Sequence, residues 1–214
     1  MDLMKSRVAR AWRTWRQPPT LAVPYRSVDT EDSTRRFLLY GVMPLWFAPA
    51  VADWIMHRRT RIEDTTGVRE SAVHALMMAE AGVPIAMGLL ARINPLVLTV
   101  MSGAALAHAA TALWDVSLAS DKRELRPVEQ HIHSFLEVLP LTALAFLCTL
   151  HADQVRATLR GGRSPGDWQL LPKENPLSAR YLTGLGLGIS ACVVLPYAEE
   201  MTRCVRAARG HGRR

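Results

Sequence analysis

Acids and imidazoles recur four positions apart in the most apolar stretches of this 214-residue chain. Asp53 precedes His57, Glu70 precedes His74, and Glu129, His133 and Glu137 repeat the spacing once more. On a helix, positions i and i+4 lie about 40° apart, so each pair shares one face. His108 and Asp115 are seven positions apart and fall about 20° from alignment. Imidazole suits iron, zinc, copper and nickel, and carboxylate adds hard oxygen, so this is the donor set of a His/carboxylate metal site. The three cysteines, Cys148, Cys192 and Cys204, are scattered. That argues against iron–sulfur chemistry, a thiolate-rich zinc site and a disulfide framework.

The elements that carry these residues are hydrophobic blocks of membrane-crossing length. A spanning helix needs about 20 mostly apolar residues at 1.5 Å rise each. Five stretches qualify: 37–56, 71–91, 95–117, 132–150 and 181–198, with the fourth helix starting near Pro127. The expected fold is an all-α, polytopic membrane bundle of about five transmembrane helices with a basic amphipathic N-terminal helix. In that N-terminal stretch, residues 3–16, Met4, Val8, Ala11, Trp12 and Trp15 share one face, opposite Lys5, Arg10, Arg13 and Arg16, the pattern of a helix lying in an anionic membrane surface. Gly184 and Gly188, four apart in the fifth block, either admit a close helix neighbour or reflect the general tolerance of glycine in membrane helices. The organisation reads as a basic arm and linker over 1–36, a four-helix bundle over 37–150, a polar loop over 151–180, and a fifth helix with a basic tail over 181–214.

Topology gathers the pairs. Asp53/His57 end the first span, Glu70/His74 open the second, His108/Asp115 lie toward the end of the third, and Glu129/His133/Glu137 open the fourth. Successive spans run in opposite directions, so all four groups come to one membrane face, most within about 10 Å of it and His108 deepest. An acid or a lysine at mid-bilayer costs about 3 kcal/mol, so such a layer needs mutual partners or a purpose.

Asp53, His57, Glu70, His74, His108, Asp115, Glu129, His133 and Glu137 are therefore the expected metal ligands. Glu63, in an arginine-rich loop, is as readily an exposed charge as a ligand. Glu80 lies deeper and is expected to pair with a polar group of another helix. His131 faces away, and His151 and His211 lie outside the cluster. Ser71 is expected to hydrogen-bond at a helix start, and Glu199 and Glu200 read as a solvated helix end.

The net charge of +7 and pI near 9.9 invite a nucleic-acid reading. The basic residues, however, flank apolar blocks and form no continuous stripe, so no nucleic-acid partner is expected. The Lys and Arg on the two sides of the spans nearly balance and leave the orientation open. Eight or more ligand-type residues exceed what one four-coordinate ion needs, so two divalent metals are expected, iron before zinc. With iron, the activity would be hydroxylase- or desaturase-like oxidation of a lipid or quinone; with zinc, hydrolysis by an activated water. The alternatives from another class are a proton or ion translocator and a non-enzymatic membrane subunit, in which the same residues would form a path or a structural network.

The runs Asp53-x-x-x-His57, Glu70-x-x-x-His74 and Glu129-x-x-x-His133-x-x-x-Glu137, over residues 37–150, resemble small uncharacterised multi-pass proteins of the bacterial inner membrane. The resemblance implies an integral protein of that membrane and supplies no activity.

Overall fold

The computed structural model describes residues 29–211. By its internal contacts the chain divides into residues 1–33 and 34–214. The amphipathic helix expected over 3–16 lies outside the described residues. Of the first unit, residues 29–33 are described, and in them the Asp29 carboxylate accepts the backbone N–H groups of Glu31 and Asp32 at 3.0 and 3.3 Å, a helix N-cap.

The fold is an all-α bundle. Helix makes up 80% of it, with no strand among the described residues, so backbone polar groups are satisfied within their own segments as a bilayer demands. Five helices are long and apolar enough to cross a membrane: α1 (Thr30–Thr60), α2 (Val68–Leu90), α3 (Pro95–Ser120), α4 (Pro127–Leu150) and α6 (Ala179–Gly210). A short helix, α5 (Ala152–Leu159), follows α4. Leu106, Leu113, Leu187 and Leu195 are each more than 60% exposed on the outer faces, where a soluble bundle of this size would carry charge and an integral membrane protein meets lipid. The chain is accordingly an integral membrane protein.

Local signals set the helix ends. Asn94 caps α3, its side-chain oxygen accepting the Val97 N–H, with Pro95 in the first turn. Ser178 caps α6 in the same way through the Tyr181 N–H. Arg61 ends α1 in the left-handed conformation, φ 52°, and Gly67 at φ 60° turns the chain into α2. Two widened turns interrupt long helices, Leu38–Val42 in α1 and Ser190–Val194 in α6. Each lies just before a proline, Pro44 or Pro196, whose ring collides with the carbonyl four residues back. The helix relieves the collision by shifting to the wider i→i+5 bond, Met43 N–H to Leu38 O and Leu195 N–H to Ser190 O. The Leu39 carbonyl accepts the Tyr181 hydroxyl at 2.7 Å, tying α6 to the widened turn of α1.

Around the bundle the neighbours run α1, α4, α3, α2, α6 and back to α1. A central apolar layer of Val42, Trp46, Ala50, Ala81, Leu136, Leu139, Val193 and Tyr197 joins four of them. At Gly188, α6 comes so close to α1 that a Cβ there would lie 2.6 Å from Phe47 Cε2, while one at Gly184 would meet nothing within 4 Å. One glycine of the pair is therefore a contact and the other is not. Segment 160–175 folds back over the α2–α3 turn: Arg92 N–H bonds Leu171 O, Lys173 N–H bonds Leu90 O, and the Asn94 amide reaches Gly166 O and Gln169 O.

Candidate metal centre

At one end of the bundle meet the C-terminal turns of α1, α3 and α6 and the N-terminal turns of α2 and α4. His57 and His74 lie there as parallel rings, centroids 4.6 Å apart and 1° between planes. One carboxylate holds both: Glu200 Oε2 lies 2.8 Å from His57 Nδ1 and Oε1 lies 2.7 Å from His74 Nδ1. An ionised carboxylate only accepts, so both rings donate from Nδ1 and turn Nε2 the other way. Both Nε2 atoms are buried and make no hydrogen bond. They face acids: His57 Nε2 lies 3.4 Å from Asp53 Oδ1 and 4.0 Å from Glu70 Oε1, and His74 Nε2 lies 3.2 Å from Asp115 Oδ1.

The surrounding groups fix these acids. His133 Nε2 is 2.9 Å from Asp53 Oδ1, and the Tyr197 hydroxyl donates to Asp53 Oδ2 at 2.8 Å. Thr66 donates to Glu70 Oε2. From the α3–α4 loop, Arg123 Nη2 bonds Glu70 Oε1 at 3.1 Å and Glu129 Oε1 at 2.5 Å. Burial works against the Arg123 charge, yet the hydrogen bond it donates to Glu129 and the charge of Glu70 outweigh it and hold its pKa above the ordinary arginine value.

Three groups have ligand atoms close enough to hold a metal ion: Asp53, His57 and His133; His57, His74 and Glu200; and Glu70, His74 and Asp115. Six of the nine residues expected from sequence thus come together. Glu129 is fully buried next to them but is occupied by Arg123. His108 and Glu137 belong to none of the three groups. His108 Nδ1 lies 3.8 Å from Glu80 Oε2, deeper in the bundle, and Glu80 Oε1 accepts from Thr111 at 2.9 Å, the polar partner on another helix that Glu80 was expected to need. Glu137 lines a cavity of about 360 Å³ beside the cluster, walled also by Trp46, Met77, Leu136, Asp115 and His133.

Two expectations are corrected. Glu200 is no solvated helix end: it is 0% exposed and clasps two histidines, because α6 continues as a helix beyond Ala198 and turns that position inward. Its neighbour Glu199 does face outward, accepting Trp54 Nε1 at 2.9 Å. Ser71 is buried and its hydroxyl makes no hydrogen bond among the described residues; Gly67, not Ser71, stands at the start of α2. Glu63, undecided from sequence, pairs with Arg203 of α6.

The sequence did hold a signal for Glu200. Val193, Tyr197, Glu200 and Cys204 follow one another at four, three and four positions and are all buried, the spacing of one helical face. The stripe runs through the polar end of the helix, where hydropathy alone stops.

No protein family, curated protein or solved structure matches this chain.

Proposed function

We propose that the cluster is a two-metal centre and that the protein is a membrane oxidoreductase of the non-haem iron type, acting on a lipid or quinone from the bilayer. One observation carries the reading: two parallel imidazoles are clasped through Nδ1 by a single carboxylate and present bare Nε2 atoms to three further acids. A carboxylate on the far nitrogen is how proteins fix the tautomer and raise the basicity of a metal-binding histidine. Asp53, His57 and His133 would hold one ion and Glu70, His74 and Asp115 the other, with Glu200 as the shared orienting group.

Charge supports two ions. Asp53, Glu70, Asp115, Glu129 and Glu200 are buried acids, and one guanidinium, Arg123, pairs with two of them, Glu70 and Glu129. Ionised, they leave four negative charges in a low-dielectric site, a costly arrangement unless cations balance it. Two divalent ions with neutral imidazoles bring the sum to zero.

Bound iron would supply oxygen activation, the chemistry suited to a hydrocarbon substrate. The chain's own part is to hold the ions, exclude water and admit a substrate. Tyr197 fixes one oxygen of Asp53, Arg123 and Thr66 fix those of Glu70, and Met77, Met78 and Leu136 make an apolar wall for the adjoining cavity. The ionisable residues form a layer near one face, with only the Glu80–His108 pair deeper, which favours a site over a path across the membrane.

The test is elemental analysis of the purified protein beside a His74→Ala/His133→Ala variant. About two iron atoms per chain, lost in the variant while insertion persists, is the expected result. Two zinc atoms would redirect the reading to hydrolysis. No bound iron or zinc after supplementation would overturn it.

A further inference from the structure

The bundle is hollow in the half opposite the cluster. A cavity of about 470 Å³, partly open to the outside of the bundle, runs between α1, α2, α3 and α4. Interiors of helix bundles are normally close-packed, and this volume falls in the range of small-molecule sites. Its walls are Leu38, Val42, Ile85, Ala105, Ala143 and Leu147.

The two ends of the cavity differ in chemistry. At the membrane face away from the cluster stand Arg35, Arg92 and Lys173, with the acids Asp153 and Glu174 among them. The Lys173 ammonium reaches into the wall to the Gly88 carbonyl at 2.5 Å, and Arg92 meets Glu174 at 3.2 Å. The inner end holds Trp46, Glu80 and His108. His108 is 4% exposed and neither ring nitrogen makes a hydrogen bond. Trp46 and His108 also line the 360 Å³ cavity that borders Asp53, His74, Asp115 and His133. The two cavities therefore adjoin at this pair. From Glu80 to Leu90 along α2 is ten residues, about 15 Å, and Arg92 follows two residues later, a span on the scale of a long extended alkyl chain.

We infer that this cavity binds a single-chain alkyl carboxylate, its headgroup at Arg92 and Lys173 and its chain running inward past Ala105 and Ala143 to Trp46 and His108. The inference rests on the proposed function in that it names the substrate class delivered to that centre. Binding itself needs only the cavity and its cationic mouth. Charge selects the occupant's direction: an anion is stabilised among cations at the interface, and the apolar walls leave the hydrocarbon end pointing at the cluster. Burial, and then the charge of Arg35, push the Lys173 pKa below its ordinary value, the condition a bound carboxylate would relieve.

The experiment is photolabelling in phosphatidylcholine nanodiscs with palmitate carrying a diazirine at its terminal carbon, and with the matching neutral alcohol. Palmitate should label α1 and α3 around Trp46 and His108, and unlabelled palmitate should compete where the nanodisc lipid does not. Ala105→Trp on α3 and Ala143→Phe on α4, which narrow the cavity from two of its helices, should each reduce that label to background while metal content stays at the wild-type level. Arg92→Glu/Lys173→Glu should lower palmitate labelling about tenfold and leave the alcohol unaffected. Label spread evenly over lipid-facing residues, or unchanged in the narrowed variants, would overturn the site. Label at Trp46 that ignores the charge reversal would overturn the carboxylate. The same experiment on His74→Ala/His133→Ala protein should give the wild-type pattern, so loss of the metal reading and loss of this one are read separately.

Discussion

Replacing Glu200 by glutamine changes one atom and should remove one metal. In the native side chain both oxygens accept, Oε2 from His57 Nδ1 and Oε1 from His74 Nδ1, at 2.8 and 2.7 Å. Glutamine keeps one acceptor and puts an NH₂ donor where the other stood. The histidine facing that donor must accept at Nδ1, so its proton moves to Nε2, the nitrogen turned toward the acids. A protonated Nε2 cannot ligate. The loss of an orienting partner typically costs about 10–100-fold in metal affinity, or about 1.4–2.7 kcal/mol, and the forced tautomer places this variant at the upper end for one ion only. Glu200→Ala, which orients neither ring, should weaken both ions by about tenfold or more. The assay is metal titration of chelator-stripped protein followed by elemental analysis, expected to fall from two ions per chain to one in Glu200→Gln. Two ions bound with unchanged affinity would refute the orienting role. Loss of both ions in Glu200→Gln, with the fold intact, would make Glu200 itself a ligand and refute the tautomer argument.

Other predictions follow from neighbouring contacts. Arg123→Met leaves Glu70 and Glu129 buried without their cation and should destabilise the bundle by about 3–5 kcal/mol; a loss under about 1 kcal/mol in detergent denaturation would show that the two acids find other partners. Lys173, with its folded pKa below the ordinary 10.5, binds its proton less tightly folded than unfolded. Its contribution to stability should therefore rise with pH across the alkaline range just below 10.5. Thermal midpoints of wild type and Lys173→Met should converge there, and parallel curves would contradict it.

How much of this was legible in sequence depends on which physical signal each residue carried. The i, i+4 pairs announced shared helix faces, and the alternation of span ends brought Asp53, His57, Glu70, His74, Asp115 and His133 to one place. That worked because helix geometry and antiparallel threading leave little choice once the spans are known. Glu129 and Glu137 show the limit. Glu137 lies about 80° round α4 from Glu129 and lines the adjoining cavity, while Glu129 stays beside the cluster but is taken by Arg123. Partner choice was illegible as well: nothing in the local sequence says that Arg123 takes Glu129 or that Thr111 takes Glu80. Glu200 escaped because hydropathy ended the fifth span before it, although the buried face of that helix continued at helical spacing. The hollow half could not be foreseen, since apolar residues around a cavity and apolar residues in a packed core read alike.

The clasp on His57 and His74 also has a meaning in time. Glu200 stands 143 positions after His57 and 126 after His74. Synthesis and insertion proceed from the N-terminus, so four helices enter the bilayer before the carboxylate that orients their histidines exists in the chain. Until α6 arrives, the acids and imidazoles of the polar layer lack the group that closes it. Assembly of the layer is thus the last event of biogenesis and draws on every helix at once. A chain stalled, cut or misthreaded at any of the five leaves polar groups of the layer without their partners.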